Sequence, residues 1–193
     1  MGKLIIFAGH SGTGKTTLAK RAMPKLMDMC QHPFTFLDKD TAFGAFSSHL
    51  LGLLTGNEQD RDSPYYLDNF RNWEYSGLID IARENLELDV DVILVGPFSK
   101  EIQSLKLFDA SFLRLSSPTL IKVVWVDLEI KEAKRRIEKR NDPRDKWKIE
   151  HWDAYQKRRI EPPEHPQLFR FDNSQFSEAR FDLLLSALCT PTP

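Results

Sequence analysis

Gly9-His10-Ser11-Gly12-Thr13-Gly14-Lys15-Thr16-Thr17, preceded directly by the apolar run Leu4-Ile5-Ile6-Phe7-Ala8, is the stretch that decides the fold. It is a phosphate-binding P-loop, G-x4-G-K-T, set where a buried strand turns through glycines into a helix whose N-terminus faces an anion. Gly9, Gly12 and Gly14 lack a Cβ, so the loop can take positive φ and bring several backbone N–H groups onto a β-phosphate. Lys15 supplies a mobile charge to the β- and γ-phosphates. The Thr16 hydroxyl is set to coordinate the Mg2+ that bridges them. All nine residues, His10, Ser11, Thr13 and Thr17 included, are read as the nucleoside triphosphate site.

Strands and helices alternate outward from this loop. A helix is expected from Leu18 to about Met29, a strand over Phe34–Leu37, and a second helix from Thr41 to about Leu54. Pro64 opens a long helix whose apolar stripe includes Phe70, Trp73, Leu78, Ile81 and Leu86. Val92–Val95 and Leu120–Val126 read as strands, with Asp127 as N-cap of a helix through about Lys139. A last strand around Leu168–Phe171 and a helix through Leu183–Leu188 close the pattern. Continuous apolar strands separated by helices imply a parallel sheet covered on both faces, with ligands beyond the carboxyl ends of the strands. We expect one domain over 1–189, an acceptor region about 41–88, a small lid about 136–148, and a frayed tail at 190–193.

The chain has 193 residues, 41% of them hydrophobic, enough to fill a substantial core. Its net charge of −1 supplies no global field to recruit nucleic acid or anionic membrane, so any polyanion must be held locally. Cys30 and Cys189 are far apart in sequence and form no C-x-x-C motif, which points to reduced thiols in a reducing compartment. Too few apolar residues precede the P-loop for a signal peptide, and no run approaches membrane-spanning length. The cytoplasm is the expected location. The five histidines show no metal-ligand spacing.

The second strand ends Phe36-Leu37-Asp38-Lys39-Asp40-Thr41. If the extended backbone persists, Asp38 and Asp40 share one side and Lys39 takes the other. Phosphoryl transfer needs one group to orient the acceptor hydroxyl and take its proton, and another on the metal side. Asp40 is assigned the first role and Asp38 the second; the alternative is that Asp40 only caps the following helix. In the run Lys131 to Asp145, Arg136 and Arg140 lie four apart on one helical face. Asn141-Asp142-Pro143 then breaks the helix and leaves Arg144 on a mobile segment. Such arginines can fold over a triphosphate as a lid. For the acceptor, Arg61 and Arg71 are the best candidates, because a helical core has little use for an unpaired cation. Their charge suggests an anion on the acceptor. Trp73 is read as core, and Trp147, Trp152 and Tyr155 as packing beneath the lid.

The P-loop, Leu37-Asp38-Lys39-Asp40-Thr41, Arg61 to Tyr66, Gly96-Pro97-Phe98, and Arg140 through Arg144-Asp145 with Trp147-Lys148 together resemble the P-loop kinases of the AAA-domain type. That group is similar in fold to nucleoside-monophosphate, shikimate and gluconate kinases, chloramphenicol phosphotransferase, polynucleotide 5′-hydroxyl kinases and zeta toxins. The resemblance spans Lys3 to about Asn173. It implies an α/β three-layer sandwich with a five-stranded parallel sheet, ATP as donor, Asp40 as base, and Arg136, Arg140 and Arg144 as lid arginines. The adenine pocket would lie by the lid helix and Asp172-Asn173-Ser174. The third strand ends Val95-Gly96-Pro97 without a metal-side carboxylate, which leaves Thr16 and Asp38 as the Mg2+ candidates. The function expected is ATP-dependent phosphorylation of a hydroxyl on a metabolite, nucleoside-like compound or antibiotic. The alternatives are a polynucleotide or nucleotide-sugar kinase, and a nucleotide-dependent switch without transfer chemistry.

Overall fold

The computed structural model describes residues 2–116 and 118–190. Strands β1 (Gly2–Ala8), β2 (Phe34–Asp38), β3 (Asp91–Val95), β4 (Thr119–Asp127) and β5 (Leu168–Asp172) form one sheet in the order β2-β3-β1-β4-β5. Every neighbouring pair is parallel. The helices are α1 (Lys15–Cys30), α2 (Lys39–Thr55), α3 (Pro64–Asn69), α4 (Arg71–Glu87), α5 (Ser99–Gln103), α6 (Ile130–Arg140), α7 (Lys146–Glu150), α8 (Trp152–Gln156) and α9 (Glu178–Cys189). No helix among the described residues is long and apolar enough to cross a membrane.

Burial on both faces explains why the strands are continuous apolar runs rather than alternating ones. Ile5, Phe7, Ile93, Val124 and Val126 meet α1 and α9 on one face. On the other face Leu4, Ile6, Leu94, Val123 and Trp125 meet α4, Phe98 and Ile102. Leu4 through Phe7 are essentially fully buried, each contributing about 1.5–3 kcal/mol. β1 lies between β3 and β4, so the chain winds to opposite sides of it, and the crevice at its carboxyl end is the place such sheets offer a ligand.

Three local expectations are corrected. The helix opened by Pro64 is two helices, broken at Phe70 (φ −118°, ψ −45°). Trp73 is 76% exposed rather than core. The reason lies in the first turn of α4, whose inward face is charged: Arg71 and Glu74 are buried there, and the apolar stripe reaches the sheet only from Tyr75 onward. Asp127 is the last residue of β4, where its carboxylate accepts from Trp125 Nε1 at 2.7 Å, and Glu129 is the N-cap of α6. The cysteines, distant in sequence, are free thiols whose Sγ atoms come to 2.7 Å. Ion pairs Arg21–Glu178 and Lys25–Asp182 run α1 alongside α9 in the same direction and lead the two C-terminal thiols together. Of the tail, Thr190 caps α9 through its N–H to Ser186; residues 191–193 lie outside the described residues.

Candidate functional site

β1 passes through the P-loop into α1, whose N-cap, Gly14 (φ 87°), offers no side-chain cap. The first-turn amides are thus left for an anion, where the helix dipole favours one. Gly9, Gly12 and Gly14 all have positive φ. A Cβ at Gly12 would stand 2.6 Å from the Ala133 carbonyl oxygen, so only glycine lets the loop lie against α6. Lys15 Nζ donates to the His10 carbonyl at 3.2 Å. Burial lowers its pKa to about 8 against the pull of Asp40 and Asp38. His10 contributes a structural side chain: Nε2 accepts from Ile160 N–H at 3.1 Å, and the ring stands edge-on to Trp125. Burial holds its pKa at about 4, so it stays neutral near pH 7.

The strand-end pair differs from its expected geometry. Extended backbone stops at Asp38, and Lys39 begins α2. Asp38, not Asp40, is the N-cap: its Oδ1 accepts from the N–H of Asp40 and Thr41 at 2.9 and 3.2 Å. Its Oδ2 accepts from Thr16 Oγ1 at 2.9 Å, which brings the two metal-side candidates together. Asp40, in the first turn, is paired with Lys39 (3.2 Å), Arg61 (3.4 Å) and Arg144 (2.8 Å). Burial alone would raise its pKa, but Lys39, Arg144 and Arg61 hold it well below the usual carboxylate range. Lys39 was expected on the far side of a strand; the helical turn instead sets it beside Asp40.

α6 ends at Arg140, with Asn141 (φ 47°) as its left-handed cap. Arg140 Nε donates to Asp145 at 2.9 Å. Lys148 joins the same buried carboxylate at 3.1 Å and Asp62 at 2.7 Å. Asp62 and Arg144 therefore tie this helical segment across to the segment that precedes α3 and to Asp40. Arg136 is held by Glu132 at 2.8 Å and does not line the cavity. With Asn173, whose Nδ2 donates to Thr13 O at 2.7 Å, it flanks Gly14 on the outer side of the P-loop.

Arg61 and Arg71 both line the cavity but are committed elsewhere. Glu74, 3% exposed, accepts from Lys39 (2.6 Å), Tyr66 (2.5 Å) and Arg61 (3.1 Å). Arg71 makes a bidentate pair with Glu101, both bonds 2.8 Å. These buried pairs satisfy their own charges, which burial requires. The unpaired acceptor cations expected from sequence are thus paired in the structure. Tyr65 and Trp73 do not line the cavity.

One cavity of about 730 Å³ joins Lys15, Thr16, Asp38, Asp40, Arg140, Arg144, Arg61 and Arg71. Nine cations and four carboxylates line it, so a chain of near-zero net charge concentrates positive potential at one place. Gly9, Thr13, Gly14 and Thr17 are not among the residues that line it. Sequence reasoning missed Tyr155, whose hydroxyl accepts from the Ser11 amide at 3.0 Å. It gave no role to Lys39, nor to the pairing of Lys148 with Asp62, which joins segments distant in sequence. The basic run Lys157-Arg158-Arg159 was a visible signal left unused.

Similar architectures occur in solved structures. A sugar kinase from Janibacter sp. HTCC2649 shares 17% identity over 98% of this chain and 99% of that one, with a TM-score of 0.63. The Mycobacterium tuberculosis APS kinase CysC, solved with AMPPNP and APS, shares 16% over 98% of each chain (TM-score 0.60). Chaetomium thermophilum Kti12, solved with ADP-AlF3, shares 16% over 98% and 99% (TM-score 0.66). These likenesses establish a fold of the P-loop kinase kind. No functionally curated protein sequence matches this chain. The profile of the AAA domain family AAA_33 matches residues 4–163, most of the chain, and the protein belongs to that family.

Proposed function

We propose that this protein is an ATP-dependent phosphotransferase that moves the γ-phosphoryl group to a hydroxyl of a small molecule. The observation that carries the reading is a single cavity in which P-loop residues Lys15 and Thr16 face Asp40 while Arg140 and Arg144 lie across it. The similar APS kinase was solved with the triphosphate analogue AMPPNP, and a glycine loop that opens a helix is an anion site, which together support this loop as the donor site. Arg136 and Asn173 flank the adenine side, by Gly14.

In this reading the loop amides and Lys15 hold the polyphosphate, and Arg140 and Arg144 draw charge from the moving phosphoryl group. Thr16 Oγ1 and Asp38 Oδ2, hard oxygens 2.9 Å apart, fit Mg2+, which needs only one or two protein oxygens besides phosphate and water. Bound there, Mg2+ would neutralise charge on the terminal phosphates. Asp40 aligns the acceptor hydroxyl. Its depressed pKa makes it a weak base, which suits a loose transition state in which the hydroxyl proton leaves late. A soluble, cytoplasmic setting with domain limits 1–189 and a lid over about 136–148 belongs to the same reading.

A second reading, a nucleotide-dependent switch without transfer, is favoured by the three cations that already pair with Asp40. A screen of hydroxylated metabolites by ADP release separates the two. Acceptor-dependent release with a phosphate added to the acceptor supports the kinase. Nucleotide binding with no acceptor-dependent release across the screen sinks it in favour of the switch.

A further inference from the structure

Most cations around the cavity are already neutralised. Lys39 and Arg61 pair with Asp40 and Glu74, Arg71 with Glu101, Arg140 with Asp145, Arg144 with Asp40, and Lys148 with Asp62 and Asp145. Among the described residues, three lining cations have no ion-pair partner: Lys15, Lys100 and Arg158. Lys15 belongs to the P-loop. Lys100 stands on α5, just beyond the Gly96-Pro97 turn that ends β3 and next to Glu101, the partner of Arg71. Arg158 follows α8. Its guanidinium lies 4.2 Å over the Trp147 ring and gives Nη1 to the Asp62 carbonyl at 2.9 Å. These contacts fix its position without cancelling its charge, and they leave the rest of its donor fork open.

A cation whose charge a carboxylate already balances gains less from a further anion than one without an ion pair, which gains a full charge-assisted hydrogen bond. We infer that the acceptor carries, besides its hydroxyl, an oxyanion of the phosphate class, received between Lys100 and Arg158. The inference rests on the kinase reading and names the substrate class of that site. It also moves the anion subsite away from Arg61 and Arg71, which serve as a charge-balanced floor.

Calorimetric titration of inorganic phosphate tests it, with AMPPNP and Mg2+ saturating the donor half so that phosphate cannot enter the P-loop. Saturable binding is expected, weakened on the order of ten-fold in Lys100→Ala and in Arg158→Ala, partly restored in Arg158→Lys, and lost in the double variant. AMPPNP affinity should be the same in all of them, which verifies folding. No saturable phosphate binding, or equal binding by the double variant, overturns the subsite. A second arm compares hydroxyl compounds with and without a phosphate ester in the ATP-consumption assay. Phosphate binding as expected with no compound consuming ATP removes the kinase reading and keeps the subsite. Uncharged compounds turning over at the same KM in wild type and double variant remove the subsite and keep the kinase.

Discussion

Raising the pH should weaken nucleotide binding through one residue. Burial lowers the Lys15 pKa to about 8 in the free protein, whereas a polyphosphate against the ammonium favours the protonated form. Above pH 8 the protein must therefore take up a proton as it binds. At pH 9 the uptake should be ~0.9 proton per nucleotide, and affinity should fall ~10-fold, about 1.4 kcal/mol, between pH 7 and 9. Calorimetry in buffers of different ionisation enthalpy measures the proton directly, and working above pH 8 avoids titration of the nucleotide's own phosphate. Lys15→Arg keeps the charge at all these pH values and should show no uptake. Stability moves in the opposite sense. Between about 8 and the ordinary value of 10.5 the unfolded chain holds more proton than the folded one, so Lys15 makes the free protein more stable as pH rises. Absence of uptake at pH 9, or the same uptake in Lys15→Arg, would refute the argument that Lys15 faces the polyphosphate.

Gly12→Ala should lower stability by roughly 1–3 kcal/mol, because its Cβ would meet the Ala133 carbonyl at 2.6 Å in a positive-φ position; thermal unfolding measures this, and an unchanged Tm contradicts it. Tyr155→Phe frees the Ser11 amide that now binds the tyrosine hydroxyl, so AMPPNP affinity should rise by a factor of about 5; weaker binding would mean that the hydroxyl is itself a ligand of the phosphate. Trp73→Ala should change stability by no more than about 0.5 kcal/mol despite the size of the side chain, since Trp73 is 76% exposed; a loss above ~2 kcal/mol in denaturant unfolding would return it to the core.

The sheet and the P-loop were legible because their signals are local: an apolar strand, glycines where the loop needs positive φ, and a helix start directly after. Strand limits therefore agree with expectation to within one residue, apart from the first two residues of β1. The Asp38/Asp40 pair was misread because a period-two argument holds only while the strand lasts, and Asp38 ends it by bonding to the amides that follow. Trp73 was misread because hydrophobic periodicity assumes that buried means apolar. At the start of α4 the buried face is Arg71 and Glu74, each held in an ion pair. The pairing of Arg71 with Glu101, 30 residues on, and of Cys30 with Cys189 depends on tertiary contacts that no window of sequence contains. Thr16 lines the cavity where its motif points, and Arg140 and Arg144 where the end of a charged helix does, although the same helix spacing also pointed to Arg136, which lies outside the cavity. Tyr155 and Arg158 were missed because their roles arise from where α8 comes to rest.

The most direct measurement of the central claim is single-turnover transfer from ATP with Asp40→Asn beside the wild type, on an acceptor identified by the ADP-release screen. The amide keeps the size of the side chain while losing its charge. The account predicts that AMPPNP still binds and that transfer falls by at least ~100-fold, whereas transfer at the wild-type rate would contradict the placement of Asp40 against the reacting hydroxyl.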